Sequence, residues 1–120
     1  MCDKEDKAYG YELYRWDDDD LKGYVNVGCS PTSVVIDDFT WGPATKEFCG
    51  TGSSGIELHI SKAGAVKMLA ANGIVNSKYP TEALALLLAE RYTGNSTAYS
   101  AINEMADEAG ADAMVWIDRD

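Results

Sequence analysis

The chain has 120 residues, 46% of them hydrophobic and 25% charged, with twenty acids against ten bases and a formal net charge of -10. This apolar content excludes a disordered chain, the length excludes two domains of ordinary size, and the charge disfavours a broad basic face for nucleic acid. A single domain of residues 1–120 is the expectation, with residues 1–7 loosely attached or disordered.

Such a domain buries roughly two-thirds of the surface of its unfolded chain, enough for a core without metal or disulfide staples. Cys2, Cys29 and Cys49 are odd in number and none is spaced as Cys-x-x-Cys, so no disulfide framework is expected. The opening Met-Cys-Asp-Lys-Glu-Asp-Lys is followed by no apolar segment of a leader. The longest apolar run, Ala83 to Ala89, is too short to span a bilayer. No membrane association and a cytoplasmic location follow as expectations. Residues 1–60 carry twelve acids against five bases and residues 61–120 eight against five, which concentrates the negative charge in the first half.

Tyr9 to Trp16 is aromatic and suited to a strand. Leu21 to Cys29 alternates, with Leu21, Gly23, Val25, Val27 and Cys29 on one face. Asp17 to Asp20 between them fit the connection of an antiparallel hairpin. Cys29-Ser30-Pro31-Thr32-Ser33 reads as a turn and Val34 to Phe39 as a third strand. Residues 40–55 hold five glycines and prolines without a sustained period, a long connection before a fourth strand, Ile56 to Ile60. There Ile56, Leu58 and Ile60 point inward, Glu57 and His59 outward.

After His59 the period changes to that of a helix. Ser61 is placed to cap a helix with the stripe Ala63, Val66, Leu69 and Ala70, ending at Gly73. Pro80 suits the start of a second helix running to about Thr93, apolar on nearly every side and therefore expected to be packed on two sides. Ser96 or Thr97 caps a third, whose inner face is Ala98, Ile102, Met105, Ala106 and Ala109. Ala111 to Ile117 is a closing strand, and its two apolar faces make it a candidate for the centre of the sheet. Four strands, three helices and one strand predict an α+β fold: a mostly antiparallel sheet of about five strands, four N-terminal and one C-terminal, with three helices on one face.

Chemical motifs are sparse. As a calcium loop the aspartate run fails, because Lys22 and Cys29 stand where oxygen ligands belong. Gly50 to Gly55 precedes a strand rather than a helix and lacks a following Lys, so it is no phosphate loop. One His and three scattered Cys do not make a zinc site. A nucleophile, base and orienting group can be nominated from Cys29 or Cys49, His59, and Asp37 or Asp38, but the spacing matches no protease or transferase signature. Asp37 and Asp38, adjacent in a strand, face opposite sides. No catalytic residue, metal or cofactor is assigned.

What remains is a binding surface: Asp17, Asp18, Asp19 and Asp20 at a hairpin tip, the aromatics Tyr14, Trp16 and Trp41 near it, and a second acidic face at Glu104, Asp107 and Glu108. Carboxylates a few ångströms apart substitute electrostatically for phosphates, so the expected partner is a protein with a basic surface, one that itself holds nucleic acid, with no direct nucleic-acid contact by this chain. In size and charge alone the chain is similar to phage-encoded anti-restriction and anti-CRISPR inhibitors. Two alternatives stand beside this reading: a small-molecule or nucleotide-derivative binder closing the 40–55 loop over a pocket, and a hydrolase or transferase centred on His59. A homo-oligomer interface would equally employ the aromatics and the apolar second helix.

Overall fold

A computed structural model describes residues 9–17, 19, 21–41 and 53–119. Five strands, β1 (Tyr9–Asp17), β2 (Lys22–Cys29), β3 (Ser33–Trp41), β4 (Ser53–Ser61) and β5 (Met114–Arg119), form one antiparallel sheet in sequence order. Three helices, α1 (Lys62–Ala71), α2 (Pro80–Tyr92) and α3 (Ala98–Ala109), occupy the segment between β4 and β5. The expected α+β architecture is the one observed.

Alternation decides which side of the sheet is dry. Val25 and Val27 on β2, Val34 and Ile36 on β3, and Leu58 and Ile60 on β4 are fully buried beneath the helices. Their register neighbours Asn26, Val35, Asp37, Glu57 and His59 point the other way and are only partly buried. The helices contribute Ala65, Met68, Leu84, Leu88 and Ile102 to the same core. Sheet and helices thus form two layers, and none of the described residues forms a layer over the second face of the sheet.

β1 departs from simple alternation. Its pairing with β2 shifts between Glu12 and Tyr14, a bulge that turns both Leu13 and Tyr14 toward the helices. The Gly94 amide at the end of α2 donates to the Leu13 carbonyl, fixing the bulge to the helix layer.

Local chemistry sets the helix ends. The Ser61 hydroxyl accepts from the Gly64 amide at 3.1 Å. At the other end of α1, Gly73 adopts φ +80° while the Ile74 amide reaches the Leu69 carbonyl, the closure expected when glycine follows a helix. The cap of α3 differs from expectation. Thr97 makes no side-chain cap; instead the Asn95 Oδ1 accepts from the Thr97 amide and hydroxyl, because an Asx turn satisfies those donors one step earlier. The buried face of α1 is also rotated from the expected stripe, with Gly64, Ala65, Met68 and Leu69 inside and Val66 outside. The helix is apolar on so many sides that spacing alone does not choose a face, and tertiary packing does.

Two further expectations are corrected. Cys29 is disulfide-bonded, since an odd number of cysteines still allows one pair, and the other two cysteines lie outside the described residues. β5 is an edge strand rather than a central one: it pairs with β4, and the helices contact β1 to β4. Its two apolar faces are therefore both in solvent. No described helix is long and apolar enough to cross a membrane.

Candidate functional site

The uncovered face of the sheet gathers the side chains with the most chemistry. Across its middle, the register places Glu12, Asn26, Asp37, Glu57 and Trp116 in one row from β1 to β5. Asp37 and Glu57 are direct cross-strand neighbours of like charge, an arrangement that destabilises a sheet unless something cationic lies between them. Partial burial, then the Glu57 charge, pushes the Asp37 carboxyl above its ordinary range. The Tyr24 hydroxyl is raised in the same way, by burial first and by Asp37 and Glu57 next, with Arg15 opposing.

The bases on this face are already engaged by acids beside them: Arg15 Nε lies 2.6 Å from Glu12 Oε1, and Lys22 Nζ 3.2 Å from Asp17 Oδ1. The negative potential accordingly centres on Asp37 and Glu57. Between Glu12 and Asp37, the Asn26 Oδ1 is buried and accepts no hydrogen bond from the described residues. Such an orphaned acceptor costs free energy until a donor reaches it.

Beside the acids lies an aromatic strip. Tyr24, Phe39 and Trp41 form a mutual cluster with ring centroids 5.6–6.3 Å apart. At the β5 side the His59 and Trp116 rings stack at 4.5 Å, and His59 Nε2 lies 2.8 Å from Glu57 Oε1. Asp17 joins this face at the hairpin end, opposite Lys22 and one strand from Trp41.

The residues singled out in the sequence do not all meet here. Asp17 and Asp19 are exposed, while Asp18 and Asp20 lie outside the described residues. Trp41 belongs to the aromatic strip, but Tyr14 and Trp16 pack edge to face at 5.1 Å on the helix side, carried there by the bulge. Glu104 and Glu108 line a groove of about 400 Å³ among the helices, with Arg91 and Asn72 on its other wall, and Asp107 flanks a smaller one near Asp112. These three acids belong to the opposite layer of the molecule. Tyr24, Phe39, Asp37, Glu57 and Asn26 were not singled out as binding residues, although strict alternation in β2 to β4 does place them on one face.

The nominated catalytic constellation is dispersed. Cys29 is bonded and buried on the helix side, Asp38 faces the same side, and His59 with Asp37 faces the other. Cys49 and most of the 40–55 loop lie outside the described residues. Among the described residues no group of three His, Cys, Asp or Glu is placed to hold a metal ion. Comparison with known proteins found no matching family model, no matching curated protein and no matching solved structure.

Proposed function

We propose that the protein is a non-enzymatic binding module whose uncovered sheet face receives a basic segment of a partner protein. The observation that carries this reading is the Asp37–Glu57 pair beside an orphaned Asn26 acceptor and an aromatic strip. A guanidinium supplies the three things this surface lacks: positive charge between two carboxylates, a donor for Asn26 Oδ1, and a flat cation for the rings of Tyr24, Phe39 and Trp41. Where that segment is one that ordinarily grips nucleic acid, the module acts as an inhibitor by occupying it, which is the role expected from the charge of the chain. Asp17 and the rest of the hairpin tip then serve mainly to accelerate encounter. The disulfide at Cys29 favours an oxidising compartment over the cytosol.

The test is a titration of the protein with an oligo-arginine peptide, read by tryptophan fluorescence at several salt concentrations. Binding is expected to weaken steeply with salt, and the double variant Asp37→Asn, Glu57→Gln to lose at least tenfold in affinity while remaining folded. A triple variant Glu104→Gln, Asp107→Asn, Glu108→Gln on the other layer is expected to bind like the wild type. Unchanged affinity in the sheet-face variant would remove this reading.

A further inference from the structure

Strand β5 is built unlike the other edge of the sheet. β1 is blunted by a bulge and by the charged pair Glu12 and Arg15, two common defences against unwanted strand pairing. In β5, four consecutive apolar residues are all in solvent: Met114 is 61% exposed, Val115 46%, Trp116 56% and Ile117 64%. Val115 and Ile117 lie on the helix side of the sheet, yet the helices do not cover them. One long edge of β5 faces β4 and its other edge faces no described strand, so a row of backbone donors and acceptors is presented beside this apolar surface.

We infer that β5 is a dimerisation strand, pairing antiparallel with β5 of a second copy of this chain to make a continuous ten-stranded sheet. Directly opposed residues of antiparallel strands point to the same face, so a two-fold axis perpendicular to the sheet must run midway between the two copies of one residue. Centred on Trp116, it sets Trp116 against its own copy and Val115 against Ile117 twice. Centred on Val115 it would pair only Met114 to Trp116 within the strand, and centred on Ile117 it would set Trp116 against Asp118 and Val115 against Arg119. The Trp116-centred register pairs five residues of β5, with Val115, Trp116 and Ile117 facing apolar partners and Met114 facing Asp118 at each end.

The area agrees with a second copy. The four residues expose on the order of 400 Å² per chain, so two chains with their backbone approach the roughly 1,000 Å² at which a specific interface begins, the size of a reversible dimer. The dimer leaves both uncovered sheet faces on the same side and open, so this inference neither requires nor obstructs the binding of a basic partner.

Light scattering and sedimentation across the micromolar to millimolar range test it. The wild type is expected to pass from 13.0 kDa to twice that mass with rising concentration. Trp116→Lys sets two like charges at the axis and is expected to weaken the dimer at least tenfold with unchanged circular dichroism. Should that variant fail to fold, Val115→Thr with Ile117→Thr keeps strand preference while removing apolar surface, and the same loss is expected. Tyr11→Lys on the opposite edge is expected to dimerise normally. A wild type that stays monomeric throughout, a dimer that survives both β5 changes, or one abolished by Tyr11→Lys would each overturn the inference.

Discussion

Asp38 offers a direct measure of how much the helix-side surface of the sheet resists charge. It lies on β3 between Val25 and Ile56, two apolar neighbours on the buried side. Burial, with a further contribution from Asp37, raises its carboxyl from 3.8 to about 6. Its charge in turn helps burial to raise the Tyr99 hydroxyl, which is buried and has no hydrogen-bond partner among the described residues. Because the folded carboxyl holds its proton more tightly than the unfolded one, stability from this group is greatest below pH 4. It falls as the pH rises from about 4 to about 6 and is level above that. The full difference corresponds to about 3 kcal/mol, and partial solvent access reduces it to about 1–2 kcal/mol. Asp38→Asn replaces the charge with a neutral group of the same shape, so it is expected to stabilise the protein by about 1–2 kcal/mol at pH 7.5 and to change little at pH 4. Urea unfolding of both proteins at the two pH values gives the comparison. A variant less stable than the wild type at pH 7.5, or an equal difference at both pH values, would refute the reasoning.

Leu58→Ala, in the fully buried centre of β4, is expected to cost about 2–5 kcal/mol in the same assay, with a lower thermal midpoint. Gly23→Ala should cost about 1–3 kcal/mol, because an added Cβ would collide with the Phe39 carbonyl oxygen and come within 2.9 Å of Thr40 Cγ2. His59→Ala is expected to keep the fold but to lower the emission polarity contrast of Trp116 by removing its stacked neighbour, seen as altered tryptophan fluorescence without a change in far-ultraviolet dichroism. Replacing Asp17 to Asp20 together by asparagine should leave stability nearly unchanged and reduce the low-salt association rate with oligo-arginine moderately, since each exposed charge contributes at most about 1 kcal/mol. An unchanged rate would assign the run to solvation of the hairpin tip alone.

The elements were legible because the sequence changes period sharply. Alternation through Val25, Val27, Val34, Ile36, Leu58 and Ile60 reports a sheet with one dry side, and proline and glycine mark the helix limits at Pro80, Gly73 and Gly110. The binding face was less legible for a specific reason. Tyr14 and Trp16 look outward in simple alternation from Leu13, but one extra residue in the β1 ladder reverses that parity and turns them inward. An apolar strand at the centre of a sheet and one exposed on both faces at its edge also share a pattern, so Met114 to Ile117 could not reveal their position. Lateral placement depends on which neighbour the chain returns to, and residue spacing does not encode that.

The connection from β4 to β5 has a kinetic consequence. The first hairpin closes over residues 18–21, whereas β5 reaches its described neighbour β4 across residues 62–113 and all three helices. Closing the longer segment costs about 2 kcal/mol more chain entropy. The four N-terminal strands can therefore zip across connections of at most eleven residues, while the last strand waits for the helical layer to condense. Amide exchange should record this order in reverse, with the protons of β5 released first and those of β2 and β3, at the middle of the sheet, released only on global opening.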